Sequence, residues 1–301
     1  MILSIGEILA DMIGEEQNGV TAFKMYGGGA PFNVAVNAKN AGAKAGFIGR
    51  VGRDPVGKFL KGFAAGAGLD FCGIQEDETR NTTLAFVTLK GGERDFAFFR
   101  HDTADFHLDS ASVALEQWPE VNIVHVGSLM LNEPTGRKFA SETVEKIRRA
   151  GKLFSFDVNF RADLYGRIED AKKSYAPYIA EADILKFSED ELAVFTGKAE
   201  LEAGAEAVYK KDRLLLVTLG SKGCYYRING GYGFVKTEKV KPIDTTGAGD
   251  AFYGTALAGL DGRPLASFAE KELREILKKA NAAGAAATRH KGALPLKDGA
   301  F

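Results

Sequence analysis

The chain is poor in cysteine, proline and tryptophan and carries almost no net charge. Its two cysteines, Cys72 and Cys224, stand far apart in no CxxC or metal-ligand spacing. That excludes a disulfide scaffold and a cysteine zinc site, and it suits thiols kept in a reducing compartment. Eight scattered prolines exclude a proline-rich linker, and the glycines show no collagen period. A net charge of -1 gives no overall pull toward nucleic acid or an anionic membrane, so neither is an expected partner. No apolar run is long enough to span a bilayer. The apolar start, residues 1–8, has no basic flank and no small-residue cleavage site, so it reads as a core strand rather than a signal peptide. The cytoplasm is the expected location. Four histidines, His101, His107, His125 and His290, make no HExxH or triad pattern and read as structural or solvated.

What is plentiful is glycine, with 36 residues clustered at the ends of elements. Short apolar runs alternate with helical patterns. Strands are predicted at residues 2–8, 44–50, 123–126, 153–158, 184–187 and 214–219. Helices are predicted at 31–41, 55–67, 134–150, 168–180, 189–196 and 201–211, with Pro55 and Pro134 at first helical positions behind Asp54 and Glu133. The alternation predicts an α/β fold of three layers, a mostly parallel central sheet between helices. Residues 82–89 and 94–100 break the pattern as a hairpin across Lys90-Gly91-Gly92, and 20–26 also looks extended. These predict a small β-sheet lid, formed near 10–26 and 82–105, that would exclude water from a cleft. The alternative is extra sheet at the edge of the main one. No linker divides the chain, so one domain over 1–301 is expected.

The most informative stretch is Asp244-Thr-Thr-Gly-Ala-Gly-Asp250, a glycine turn that feeds a helix. Gly247, Ala248 and Gly249 let main chain approach an anion closely, and a helix N-terminus offers unpaired N–H groups. Asp250, on the first turn, can take a proton from a hydroxyl. Its ordinary pKa and the helix N-terminus both favour the ionised form it needs. Phosphoryl transfer to an alcohol follows. The alternative is a tight turn in which Asp250 complements the helix dipole.

A second glycine run, Gly27-Gly-Gly-Ala-Pro-Phe-Asn33, opens a helix, and Asn33 offers both donor and acceptor to sugar hydroxyls. Alone it is equally a turn ended by Pro31. It is not GxGxxG, which argues against a dinucleotide site. The stretch from Gly52 to Lys58 matches GxxxxGK, but Phe59 replaces the hydroxyl residue that would meet a metal, so it is not a Walker loop. Asp157-Val-Asn-Phe-Arg161 follows a strand at its carboxyl end, where α/β folds bind ligands. Asn159 and Arg161 would share a side there, and Arg161 could hold a phosphate in two bonds or form a surface salt bridge. Ser188-Glu-Asp-Glu191 is a capping box that could also set Glu191 near a hydrated Mg²⁺. The run from Thr218 to Gly223 fits a nucleotide loop or a hairpin turn.

The two glycine motifs, in this order near opposite ends of the chain, resemble those of the ribokinase-like (pfkB-type) carbohydrate kinases. The resemblance runs from residue 2 to about 295. It implies a sheet-and-helix body with a β lid, Asp250 as base, and Gly247, Ala248 and Gly249 as anion hole, with Arg161 on the transferring phosphate. It implies Asp11, Gly28, Gly29, Asn33 and Asn159 on the sugar. Lys186, Thr218, Gly220 and Gly223 would lie along ATP phosphates and ribose, and Asn281 near adenine. Mg²⁺ would sit near Glu191 through water, and a monovalent cation such as K⁺ near Asp244, Thr246 and the segment 289–292. Gly-Gly-Ala-Pro-x-Asn, the aromatic strand ending at Arg100 and the Asp157–Arg161 segment are most similar to bacterial fructokinases. Arg100 keeps a second substrate in play, because in the 2-keto-3-deoxygluconate kinases an arginine on this strand meets the substrate carboxylate. Ser188 departs from the Asn of ribokinases. Apolar lid residues Phe96, Phe98 and Phe99 imply a homodimer through the lid.

Overall fold

A computed structural model describes residues 1–17, 19–90 and 93–294. In chain order the strands are β1 (Ile2–Ile5), β2 (Leu9–Gln17), β3 (Val20–Gly28), β4 (Ala45–Gly52), β5 (Phe71–Asp77), β6 (Leu84–Lys90), β7 (Glu93–Phe99), β8 (Ile123–Val126), β9 (Leu153–Asp157), β10 (Ile184–Ser188), β11 (Leu214–Thr218), β12 (Cys224–Ile228) and β13 (Gly231–Val235). The α-helices are α1 (Ala30–Asn40), α2 (Pro55–Gly66), α3 (Pro134–Arg149), α4 (Ile168–Glu181), α5 (Glu189–Thr196), α6 (Leu201–Val208), α7 (Ala248–Leu260) and α8 (Glu270–Ala287).

The main sheet runs β13-β12-β11-β10-β9-β8-β1-β4-β5. From β11 to β5 every pairing is parallel, and β12 and β13 add an antiparallel edge. Alternation along each strand builds the layers. Leu3, Ile5, Val124, Val126, Phe154, Phe156, Leu215 and Val217 face α3, α4, α5 and α6 in one apolar cluster. Ile2, Ile123, Ile184, Leu214 and Leu216 face α1, α7 and α8 in another. Both faces are covered, so the central strands are apolar throughout. This is the expected three-layer α/β body.

The expected first strand ends early, and the chain leaves the sheet after Ile5. Gly6 sits at φ 154, where an added Cβ would stand 2.6 Å from Pro31 Cγ. Beyond it β2 begins a separate four-stranded sheet, ordered β3-β2-β6-β7. Strands β2 and β3 pair antiparallel over their whole length, β2 and β6 parallel, and β6 and β7 antiparallel. The segments expected to form a lid thus form their own sheet rather than an edge of the main one. Gly91 and Gly92, the expected turn, and Pro295 lie outside the described residues. Strand β5 and the β12–β13 hairpin escaped the sequence reading. Each lies at or beside an edge of the sheet, with glycine and polar residues among its positions, so no continuous apolar run marks it.

Candidate active site

Gly247, at φ 76, is the N-cap of helix α7, and among the described residues no side chain caps it. A Cβ on Gly247 would stand 2.7 Å from Ala293, so only glycine lets the turn close there. The helix packs on its neighbours with little side chain between. A Cβ on Gly254 would meet the Val34 carbonyl of α1 at 2.5 Å, and one on Gly284 of α8 would meet the Ala248 carbonyl at 3.0 Å. This close approach aligns the N-terminal turns of α1 and α7. Asn33 Nδ2 therefore donates to Asp250 Oδ2 at 2.8 Å across 217 residues of sequence. Both side chains are buried. Burial pushes the Asp250 carboxyl up to about 6. The Asn33 hydrogen bond opposes the rise, Asp157 adds to it, and Lys186 and Arg161 oppose it. The ordinary pKa and the helix end both favour the ionised form, and desolvation works against it. At neutral pH Asp250 is still mainly ionised, and it is a stronger base than a solvated aspartate.

Asp250 borders a cavity of about 440 Å³ between the body and the small sheet. Asp11, Gly29, Asn33, Asn159, Arg161, Lys186, Gly247 and Gly249 line it too. Gly28 does not line it, but a Cβ there would stand 2.3 Å from Asp11 Oδ2, so its bareness gives the Asp11 carboxylate room. Gly29, at φ 109, lets the chain pass the Glu7 carbonyl. Asn159 has φ 36, in the left-handed region. Its neighbour Phe160 donates its N–H to Glu191 Oε1 at 2.8 Å, which ties the segment carrying Asn159 and Arg161 to α5.

A second cavity, of about 280 Å³, lies on the other side of the α7 turn. Thr218, Gly220, Gly223, Ala248 and Asn281 line it. Gly223 has φ 106, and a Cβ would lie 2.0 Å from the Val235 carbonyl. Asn281 Nδ2 donates to that same carbonyl at 2.9 Å, fixing α8 against β13. Thr245 and Gly249 line both cavities. The uncapped turn of α7 is thus the partition between them, with Asp250 facing one side and Ala248 the other.

Three sequence expectations change. Arg100 does not line the cavity. It is buried, its Nε donates to Asp105 Oδ2 at 3.0 Å, its Nη1 donates to the Leu129 carbonyl and Asn132, and its guanidinium covers the Phe106 ring. Although burial opposes it, Arg100 with the Thr83 and Thr103 hydroxyls holds the Asp105 carboxyl below its ordinary value. Arg100 is therefore a neutralised tie from the end of β7 into the body. Glu191 also differs. Its two oxygens accept main-chain N–H groups of Phe160 and Ser188, and it lines neither cavity. Lys186 stands on the Asp250 side of the partition, not along the second cavity. It is buried with both Asp157 oxygens at 2.8 Å. Burial lowers its pKa, but the carboxylates of Asp157, Glu191 and Asp250 raise it more, so it stays charged beside Gly249.

Asp244 accepts N–H groups from Thr246 at 2.7 Å and Gly292 at 2.9 Å. That joins the turn before α7 to the segment after α8, which are the two parts expected around a monovalent cation. The sequence reading missed Glu7 and Asp163, which both line the larger cavity. Glu7 follows the carboxyl end of β1, a position that marks ligand sites in α/β sheets. Reading residues 2–8 as one continuous strand hid that signal.

A family model described as pfkB family carbohydrate kinase matches residues 1–298. The chain is 37% identical over 303 residues to a probable fructokinase-2 of Arabidopsis thaliana, covering 98% of this chain and 92% of that protein. A fructokinase double mutant from Vibrio cholerae O395, solved with fructose, ADP and potassium ion bound, superposes with a TM-score of 0.84 at 31% identity, covering 97% of this chain and 93% of that one. A sugar kinase from Pyrococcus horikoshii in complex with ATP superposes at 0.82 with 34% identity, covering 97% and 94%.

Proposed function

The chain belongs to the pfkB family of carbohydrate kinases, and on that premise we propose that it transfers the γ-phosphoryl group of ATP to fructose, giving fructose 6-phosphate. The observation that carries this reading is the partition of two cavities by the uncapped N-terminus of α7, with Asp250 on the Asn33 side. A sugar held by Asp11, Gly29, Asn33 and Asn159 would present one hydroxyl to Asp250. ATP along Thr218, Gly220, Gly223 and Asn281 would present its terminal phosphate to the same turn from the other side. The N–H groups around Gly247, Ala248 and Gly249 would then face charge that grows on the transferring oxygens, with Arg161 and Lys186 flanking. Asp250 would take the hydroxyl proton, and the small sheet would exclude water as the lid of a single kinase domain.

Among the described residues no group of three or more His, Cys, Asp or Glu could hold a metal. Mg²⁺ would therefore be held chiefly by the ATP phosphates it accompanies, whose charge it neutralises. K⁺ would sit beside Asp244 and Thr246. Fructose is favoured over a keto-acid sugar because Arg100, just behind the cavity wall, is buried and already paired with Asp105. The relatives named above, a fructokinase with fructose and ADP among them, support the same substrate. An assay of ADP release across a panel of neutral sugars, sugar acids and nucleosides tests this. Turnover on 2-keto-3-deoxygluconate with none on fructose would overturn it.

The lid also supports a homodimer. Val20 on β3 and Phe99 on β7, its two edge strands, are 66% and 62% exposed, and Phe23 is exposed beside them. Pairing two lids would bury these residues. A monomeric mass by light scattering at micromolar concentration would count against it. Among the described residues no helix is long and apolar enough to cross a membrane. We place the enzyme in the cytoplasm, where its two reduced cysteines and ATP are at home, and cell fractionation tests that.

A further inference from the structure

The larger cavity contains more acceptors than the transfer chemistry uses. Glu7 lines it, is 1% exposed, and its Oε2 has no hydrogen-bond partner among the described residues. Asn33 Oδ1 is likewise buried without a partner at the same cavity. A buried acceptor left unpaired costs free energy, and a carboxyl more so. Glycines lie next to Glu7 in the chain, at its main-chain carbonyl and at its carboxyl. Gly6 precedes it, a Cβ on Gly29 would strike its carbonyl at 2.4 Å, and a Cβ on Gly127 would stand 2.9 Å from Oε2. The charged groups facing it are Arg100 at the end of β7, Asp105 in the turn that follows, and Asp250 on α7. Arg100 is already paired with Asp105, so it does not complete the Glu7 carboxyl.

We infer that Glu7 is a substrate-specificity residue whose Oε2 accepts a hydrogen bond from a hydroxyl of a neutral sugar, and whose charge disfavours acidic sugars. This rests on the sugar-kinase reading above and deepens it. A ligand that satisfies Glu7 and Asn33 Oδ1 must bring several O–H donors, which a polyol does. A carboxylate brings only acceptors and would meet Glu7 and Asp250 in a site of low dielectric. Desolvation raises the Glu7 carboxyl to about 7, against the pull of Arg100, and this supports the assignment. A group so poised gains its charge when a hydroxyl donates to it.

The test measures fructose binding to the wild-type enzyme by calorimetry in buffers of differing ionisation enthalpy, and kinetics of Glu7→Gln. Wild type should release up to roughly half a proton on binding fructose at pH 7, and the variant far less. Replacing a charged acceptor by a neutral one should raise the fructose KM roughly 10-fold, with kcat and the ATP KM changed less than threefold. If wild type phosphorylates fructose but releases no proton on binding it, and the variant keeps its fructose KM within twofold, the Glu7 assignment falls while the fructose reading stands. If wild type ignores fructose but phosphorylates another neutral sugar, the fructose reading falls, and the same two measurements decide Glu7 on that sugar. A wild type that prefers a sugar acid overturns both.

Discussion

Replacing Asp250 by Asn should separate catalysis from stability. The substitution keeps the shape of the side chain and an oxygen that can face Asn33 Nδ2, now 2.8 Å from Oδ2, but it removes the base. Loss of a positioned general base lowers kcat by about 10²–10⁴-fold. The pH profile carries the sharper signature. In the wild type, kcat at saturating fructose, where the sugar holds Glu7 charged, should fall with unit slope below about pH 6, where the Asp250 carboxyl takes up its proton. The variant's residual activity should lack that limb. Stability moves the other way. The folded pKa is raised above the unfolded one, so the contribution of this group to stability is greatest below the ordinary 3.8 and is lost as pH rises through about 6. The rise from 3.8 to about 6 corresponds to ~3 kcal/mol of destabilisation at neutral pH. The Asn variant avoids the buried charge and should be more stable by roughly 1–3 kcal/mol at pH 7.5, with the difference vanishing near pH 4. Urea denaturation at both pH values and steady-state kinetics from pH 5 to 8.5 measure this. A variant within tenfold of wild-type kcat, with its acid limb unchanged, would refute the role given to Asp250.

Other consequences are equally direct. Arg100→Met would strand the buried Asp105 carboxylate, and loss of one partner of such a pair costs roughly 3–5 kcal/mol. Urea unfolding should show it, and a loss under about 1 kcal/mol would show that the tie is not structural. Ala285→Phe places a ring in the cavity on the Ala248 side of the partition. It should raise the ATP KM at least about tenfold and leave the fructose KM within threefold, because a filled site loses its ligand contacts. An unchanged ATP KM would move the nucleotide elsewhere. Phe99→Glu sets a charge on the exposed edge of the lid and should convert a dimer to a monomer by light scattering, with the body still folded.

The order of strands and helices in the body was legible because buried parallel strands are apolar on both faces, as at Leu214–Thr218, and helices show their period. Strand β5 and the β12–β13 pair were not legible, since edge strands mix exposed and buried positions. The chemical core of the site was local enough to read. A glycine turn, a helix start and an aspartate lie within Asp244–Asp250, and a second glycine run carries Asn33. That is backbone geometry, and backbone geometry is encoded by neighbours.

What joins those two motifs is not local. Asn33 reaches Asp250 because Gly254 lets α7 press against α1, a contact no spacing in the chain reveals. The same holds for charge. Asp250 looked like an ordinary acid in sequence, and burial raises its carboxyl to about 6. Arg100 looked like a ligand for a carboxylate, and folding delivers Asp105 to it first. Glu7 looked like part of a strand, and the turn at Gly6 sets it into the cavity. The sequence by itself determined the fold and the kind of reaction, because both follow from periodicity and from one turn beside one helix. Only the tertiary structure decided which charges stay unpaired in the site, because desolvation and pairing depend on what distant segments bring together.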